Sequence, residues 1–179
     1  MVRKKQEDNF NNICMLCCIQ TNINYFILMR KFLFVFVFTS FVNSQINPKN
    51  IDIVRDQYGI PHIFAETDAE VAYGLAWANA EDDFKTIQEA YLAGNAMLSK
   101  YIGIKGAPAD FITQFIGSRE LIDQKIEGIS NEYLEVISGY ADGLNSYALK
   151  NPDKVLFKKL FPITPKMMMM YSQLQLFIS

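Results

Sequence analysis

Residues 54–84 read VRDQYGIPHIFAETDAEVAYGLAWANAEDDF, and the order of signals in this stretch decides the fold class. Ile51 and Ile53 before it, and Phe64 within it, flank a turn built on Tyr58, Gly59, Ile60 and Pro61, so residues 51–56 and 60–66 are expected as two short strands. Gly59 can take a positive φ, and Pro61 has no amide proton, which suits a strand start or an edge. Thr67, Asp68, Ala69 and Glu70 then form a capping box: the Thr67 hydroxyl accepts from the Glu70 amide while the Glu70 carboxylate reaches back to Thr67. A helix is predicted from that point, with Val71, Tyr73, Leu75 and Trp77 set among Gly74, Ala76 and Ala78, small residues that permit close backbone approach. Near Asn79 and Ala80 the pattern restarts, and Glu81, Asp82 and Asp83 are placed to complement a helix N-terminal dipole.

Toward the C-terminus, Phe84, Ile87, Tyr91, Leu98 and Tyr101 follow at near-helical spacing, interrupted by Gly94 and ended near Gly103. A loop containing Gly106 and Pro108 is expected next, then a short helix over 118–126 with Leu121, Ile122 and Ile126 inward. Ser130 is an expected N-cap, with Ile129 and Leu134 as a hydrophobic staple and Leu134, Ile137, Ala141, Leu144 and Ala148 on the buried face of a longer helix. Asn151 and Pro152 stop it. Thr164 and Pro165 are the expected N-cap and first residue of a last helix that runs through the Met167–Met170 run to Ile178. That helix is still apolar at Ser179, with no Gly, Pro or charged last turn, and the expectation drawn from this is that the natural polypeptide continues.

Toward the N-terminus the composition changes. Of 179 residues, 50% are hydrophobic and 20% charged, with a formal net charge of -2, a balance that excludes a disordered tail and a polybasic nucleic-acid binder. Yet 7 of the 14 Phe and all 3 Cys fall within the first 44 residues, which carry five Lys/Arg against two Asp/Glu; residues 45–179 carry 12 against 17. From Met29 the chain reads MRKFLFVFVFTSFVNSQ, with cations at Arg30 and Lys31, an apolar run from Phe32 to Val42 and then small or polar residues, the three-part pattern of a secretory signal peptide. Cleavage is expected after Ser44, leaving Gln45 as the mature start. A membrane anchor is the rival reading, because Tyr25–Met29 are also apolar, but Arg30 and Lys31 break the run well short of the roughly 20 residues a spanning helix needs. The expected organisation is therefore residues 1–28 as an upstream extension, 29–44 as the signal peptide, and 45–179 as the mature segment, with a periplasmic or secreted location. Cys14, Cys17 and Cys18 resemble a metal or redox group, but a zinc site wants four ligands and the one histidine, His62, is far away in sequence.

The order of elements resembles the start of the penicillin acylase family. The resemblance rests on VRDQYGIPHIFAE at 54–66, AYGLAWANAEDDF at 72–84, GYADGLNSY at 139–147 and FPITPK at 161–166, and AEDDFKTIQE at 80–89 leans toward the branch with aculeacin and acyl-homoserine lactone acylases. It implies an exported amidohydrolase of the N-terminal nucleophile class, made as a precursor that cuts itself into a small α chain and a large β chain. The implied fold class is α+β: a mostly helical α-chain segment with a short N-terminal strand pair, part of a four-layer αββα sandwich. The implied nucleophile is the first residue of the β chain, usually Ser, whose own α-amino group, with a pKa of about 8, is the base. Attack on an amide would give an acyl-enzyme through a stabilised oxyanion, and water would then free the acid. The implied partners are the β chain of the same precursor and a small-molecule amide substrate, such as a β-lactam antibiotic, an acyl-homoserine lactone or a lipopeptide, with no nucleic acid and only transient membrane contact through the signal peptide. No cofactor is implied for this chain; calcium is implied for the complete protein, at later α-chain positions.

No catalytic, substrate-binding or metal residue of the family maps onto this sequence, so the resemblance implies a chain inactive alone. Gly117-Ser118 has the dipeptide of a self-cleavage junction but opens a short helix, and Ser130-Asn131 resembles a new N-terminus but lacks the preceding Gly. His62, between Pro61 and Ile63, is expected to make a structural hydrogen bond rather than act as a general base. Three adjacent acids at 81–83 cannot all face one ion on a helix, so a dipole complement is preferred to a cation site. The rival from another class is an exported helical binding module without catalysis, which would be soluble and unfold cooperatively when produced alone, whereas helices shaped to lie against a missing chain would aggregate.

Overall fold

The computed structural model describes residues 46–179. The expectations for residues 1–28, for the signal peptide at 29–44, for the Gln45 start and for Cys14, Cys17 and Cys18 lie outside the described residues.

Strands β1 (Asp52–Arg55) and β2 (Pro61–Phe64) pair antiparallel, with Asp52 opposite Phe64 and Arg55 opposite Pro61. They are shorter than the sequence ranges, because the intervening turn closes early: the Asp56 carboxylate accepts from the amides of Tyr58 (2.8 Å) and Ile60 (3.0 Å), and Gly59 takes φ +82°. The capping box forms as expected. Thr67 accepts from the Glu70 amide at 3.3 Å and Glu70 accepts from the Thr67 amide at 3.1 Å, opening α1 (Asp68–Gly94).

The expected restart within this helix is present, but it falls at Asp83 rather than at Asn79 and Ala80. Asp83 has φ −152° and ψ 73°, and its carboxylate accepts from the Thr86 amide at 3.0 Å. It acts as an internal N-cap, and hydrogen bonds from Thr86, the side chain foremost and the amide second, hold its pKa below the ordinary 3.8.

Beyond Gly94 come α2 (Leu98–Ile102), α3 (Ala107–Ile116), α4 (Ser118–Lys125), α5 (Asn131–Lys150) and α6 (Pro165–Ile178). Helix α3 occupies the stretch expected as a loop. Gly106 and Pro108 were signals of its start: proline at the first turn has a φ already suited to the helix and needs no amide partner. Buried Asp110, inside α3, ties this region to α2 by accepting from the amides of Leu98 and Ser99, both at 2.8 Å, and from the Ser99 hydroxyl. A second correction concerns α4. Ile122 is buried and Ile126 is packed against the same cluster, but Leu121 faces outward, because only one side of so short a helix meets α6.

The core forms where α1 crosses α5. Gly139 lies against the backbone of Ala69 and Gly143 against that of Tyr73, so the two helices approach without intervening side chains. Around this crossing Ala76, Ala80, Phe84, Leu92, Leu144 and Tyr147 are buried, and Tyr147 takes the rings of Trp77 and Phe84 edge-on at 5.2 and 5.0 Å. A smaller cluster joins Ile122 and Ile137 to Met169 and Met170, where unbranched side chains fill the gap between α4, α5 and α6. Three buried or half-buried amides fasten the connections: Gln88 bonds the backbone of Lys154 and Leu156, Asn95 the carbonyl of Met167, and Asn145 both backbone groups of Ile163. The expected α+β class is met by a mostly helical arrangement with one two-stranded antiparallel sheet among the described residues, which do not by themselves form a four-layer sandwich.

Candidate functional site

Arg55, the last residue of β1, fastens the strand pair to α1. Its guanidinium donates to the carbonyls of Gly59 (2.8 Å) and Ala78 (3.2 Å), to Glu81 at 3.3 Å, and pairs with Asp82 at 2.8 Å. The hydrogen bond to Asp82 is the foremost reason its pKa is raised. Glu81 also accepts from the indole nitrogen of Trp77 at 2.9 Å, one helical turn earlier on the same face. The Lys150 ammonium, at the end of α5, stands 4.8 Å from the centre of the Trp77 ring, a cation–π arrangement.

These side chains border a cleft of about 480 Å³ between β1 and the helices, whose apolar walls are Ile51, Ile53 and Trp77. Two chemical features define it. Among the described residues its lining contains no Ser, Thr, Cys or His. It does combine an apolar wall with charged groups at fixed positions, which is the composition of a binding or anchoring site.

The residues weighed from sequence fall as follows. His62 brings Nε2 to 3.5 Å from the Asp56 carboxylate on the outer face of the strand pair, in keeping with a structural contact. Glu81, Asp82 and Asp83 do not share one task as helix-dipole complements: the first two face Arg55 and the third caps the kink. The acids are separated by the non-helical turn at Asp83, which a regular helix would not contain. Gly117 adopts the left-handed conformation that closes α3, and Ser118 is only 1% exposed, which keeps the serine from solvent. Ser130 caps α5 by accepting from the Tyr133 amide at 3.3 Å, as expected. Among the described residues there is no group of three or more His, Cys, Asp or Glu that could hold a metal ion. Sequence reasoning passed over the grouping of Arg55, Trp77 and Lys150. The only available signal was the four-residue spacing of Trp77 and Glu81.

The Asp56 turn has a consequence for pH. The Ile60 amide, foremost, and the Tyr58 amide hold its pKa below the ordinary 3.8. A carboxylate depressed in this way stabilises the fold above its unfolded value and loses that contribution as pH falls through the lower folded value. The stability difference between the natural chain and Asp56→Ala is therefore expected to be constant above pH 3.8 and to shrink below it. Urea unfolding across that range checks this; a difference that does not change with pH would show that the carboxylate charge is immaterial.

A penicillin G acylase from Alcaligenes faecalis superposes on this chain with a TM-score of 0.59 at 23% identity, covering 68% of this chain and 69% of the other, which establishes the shared fold. In sequence, the chain is 29% identical over 128 residues to the penicillin G acylase of Escherichia coli, covering 69% of this chain and 15% of the relative. It is 31% identical over 74 residues to the aculeacin-A acylase of Actinoplanes utahensis, covering 41% of this chain and 9% of the relative. These relatives are acylases. Residues 50–175 match the penicillin amidase family model, and the chain belongs to that family. It spans only 9% to 15% of the length of these two curated relatives.

Proposed function

We propose that this chain is the N-terminal segment of an exported acylase that hydrolyses a linear amide bond bearing an apolar acyl group. The observation that carries the proposal is the family match over residues 50–175, since the relatives on which it rests are acylases. In this reading the nucleophilic Ser and its α-amine belong to a second chain of the same precursor, and the segment described here is inactive alone. Two observations support such a division. The chain accounts for 15% of the length of its Escherichia coli relative, and it carries large apolar side chains outward: Val54 and Phe64 on the strand pair, and Phe111 and Phe115 on α3. Outward apolar faces of this kind are what a partner chain would cover. Penicillins, acyl-homoserine lactones and lipopeptides are the substrate chemistries in view. The pattern at 29–44 supports export, with Gln45 as the mature start.

The test is to produce the 179-residue chain alone and together with any coding sequence that follows it in frame, and to measure free acid released from N-acyl amines with aromatic and straight-chain acyl groups. Release by the longer product only, with Gln45 found at its N-terminus by mass spectrometry, is expected. Hydrolysis by the short chain unaided would remove the division of labour. A complete gene with no further acylase sequence, or a longer product without activity on any of the amides, would remove the enzymatic reading.

A further inference from the structure

We propose that the cleft between β1 and α1 binds a small amphiphilic carboxylate, with its apolar body on Ile51, Ile53 and Trp77 and its charge against Lys150. The inference stands apart from the hydrolytic reading, because it uses only groups present in this chain and involves no chemical step.

The charges around the cleft are not equivalent. Arg55 is committed, donating to two backbone carbonyls and two carboxylates. Glu81 is compensated on both oxygens, one facing Arg55 and the other accepting from the Trp77 indole. Lys150 is different. Its ammonium rests on the Trp77 ring, and among the described residues it has no carboxylate partner within 4.0 Å. Of the charged groups lining the cleft, Lys150 is thus the one without a hydrogen-bond or ion-pair partner among the described residues, and it is positive.

That asymmetry selects the ligand. A cationic amphiphile would meet Lys150 as a like charge. A neutral one would gain only the apolar contact. A carboxylate gains both, and a volume of about 480 Å³ is within the range of small-molecule sites.

Trp77 is the single tryptophan of the sequence and lines the cleft, so intrinsic fluorescence reports binding there without a label. Octanoate is a suitable probe because it does not absorb in the tryptophan band; octan-1-ol and octylammonium share its chain and differ in charge. With the full chain, octanoate is expected to change Trp77 emission saturably, to bind more tightly than either analogue, and to weaken as salt is raised. Lys150→Gln should weaken it about threefold, the range of an exposed ion pair, while Lys150→Arg should retain it. A linear, non-saturating response, or equal affinity for octanoate and octylammonium, would overturn the proposal, and neither outcome requires a folded variant. So would Lys150→Gln binding octanoate as tightly as the natural chain.

Discussion

Replacing Gly139 by Ala should destabilise the fold by about 3 kcal/mol, the upper part of the range for overpacked sites. A Cβ at this position would lie 2.2 Å from the Ala69 carbonyl oxygen, 2.9 Å from its carbon and 3.0 Å from its Cα. All three are backbone atoms of α1, so no side chain can rotate aside; the helices must separate. Separation opens the contacts among Ala76, Leu92, Leu144 and Tyr147, which is why the penalty exceeds that of a single clash. Gly143→Ala should behave in the same way, with a Cβ 2.4 Å from the Tyr73 carbonyl oxygen and 2.8 Å from the Ala76 Cβ. For a domain of this size the loss corresponds to a fall in thermal midpoint of about 10 °C. Gly128→Ala is the control, since a Cβ there meets nothing within 4 Å. Thermal or urea unfolding of the three variants decides the matter: if Gly139→Ala and Gly128→Ala unfold together, the close crossing of α1 and α5 is wrong.

Gln88→Leu should produce the next largest loss, about 2–4 kcal/mol, although the substitution is near-isosteric and more apolar. Gln88 is fully buried in α1, and its side-chain amide donates to the carbonyls of Phe84 and Lys154, both at 3.1 Å, while its oxygen accepts from the Leu156 amide at 2.8 Å. Leucine would fill the space and leave the Lys154 carbonyl and the Leu156 amide without partners in the interior. The cost is desolvation without compensation, which outweighs the apolar gain. Hydrogen exchange gives a local readout, because the Leu156 amide should lose protection before the helices do. Protection and unfolding midpoint equal to those of the natural chain would show that water replaces Gln88 freely.

The sidedness of the remaining surface follows from the same packing. Phe111 and Phe115 sit one helical turn apart on α3 with ring centres 6.1 Å apart, and both point outward while Asp110 and Thr113 are buried. Asp110 is inside because its carboxylate closes α2, and Thr113 because its hydroxyl donates to the Ala93 carbonyl at 2.9 Å. Polar groups with backbone partners took the buried positions, leaving the phenylalanines outside.

What could be read from residues alone was local. The caps at Thr67, Ser130 and Thr164, the stop at Asn151 and the turn at Gly59 each depend on hydrogen bonds or backbone angles within three or four residues, so the order of residues determines them. The family motifs are legible for a related reason, being short contiguous strings. Only the tertiary structure decided that Arg55 meets Glu81 and Asp82, that Lys150 stands over Trp77, that Gln88 holds residues 154–156, and that Gly139 faces Ala69. Those partners lie tens of residues apart, and nothing in the local pattern specifies how the strand pair and two long helices are laid against one another. The crossing of α1 and α5 sets that arrangement, through backbone contacts that exist only once both helices have formed.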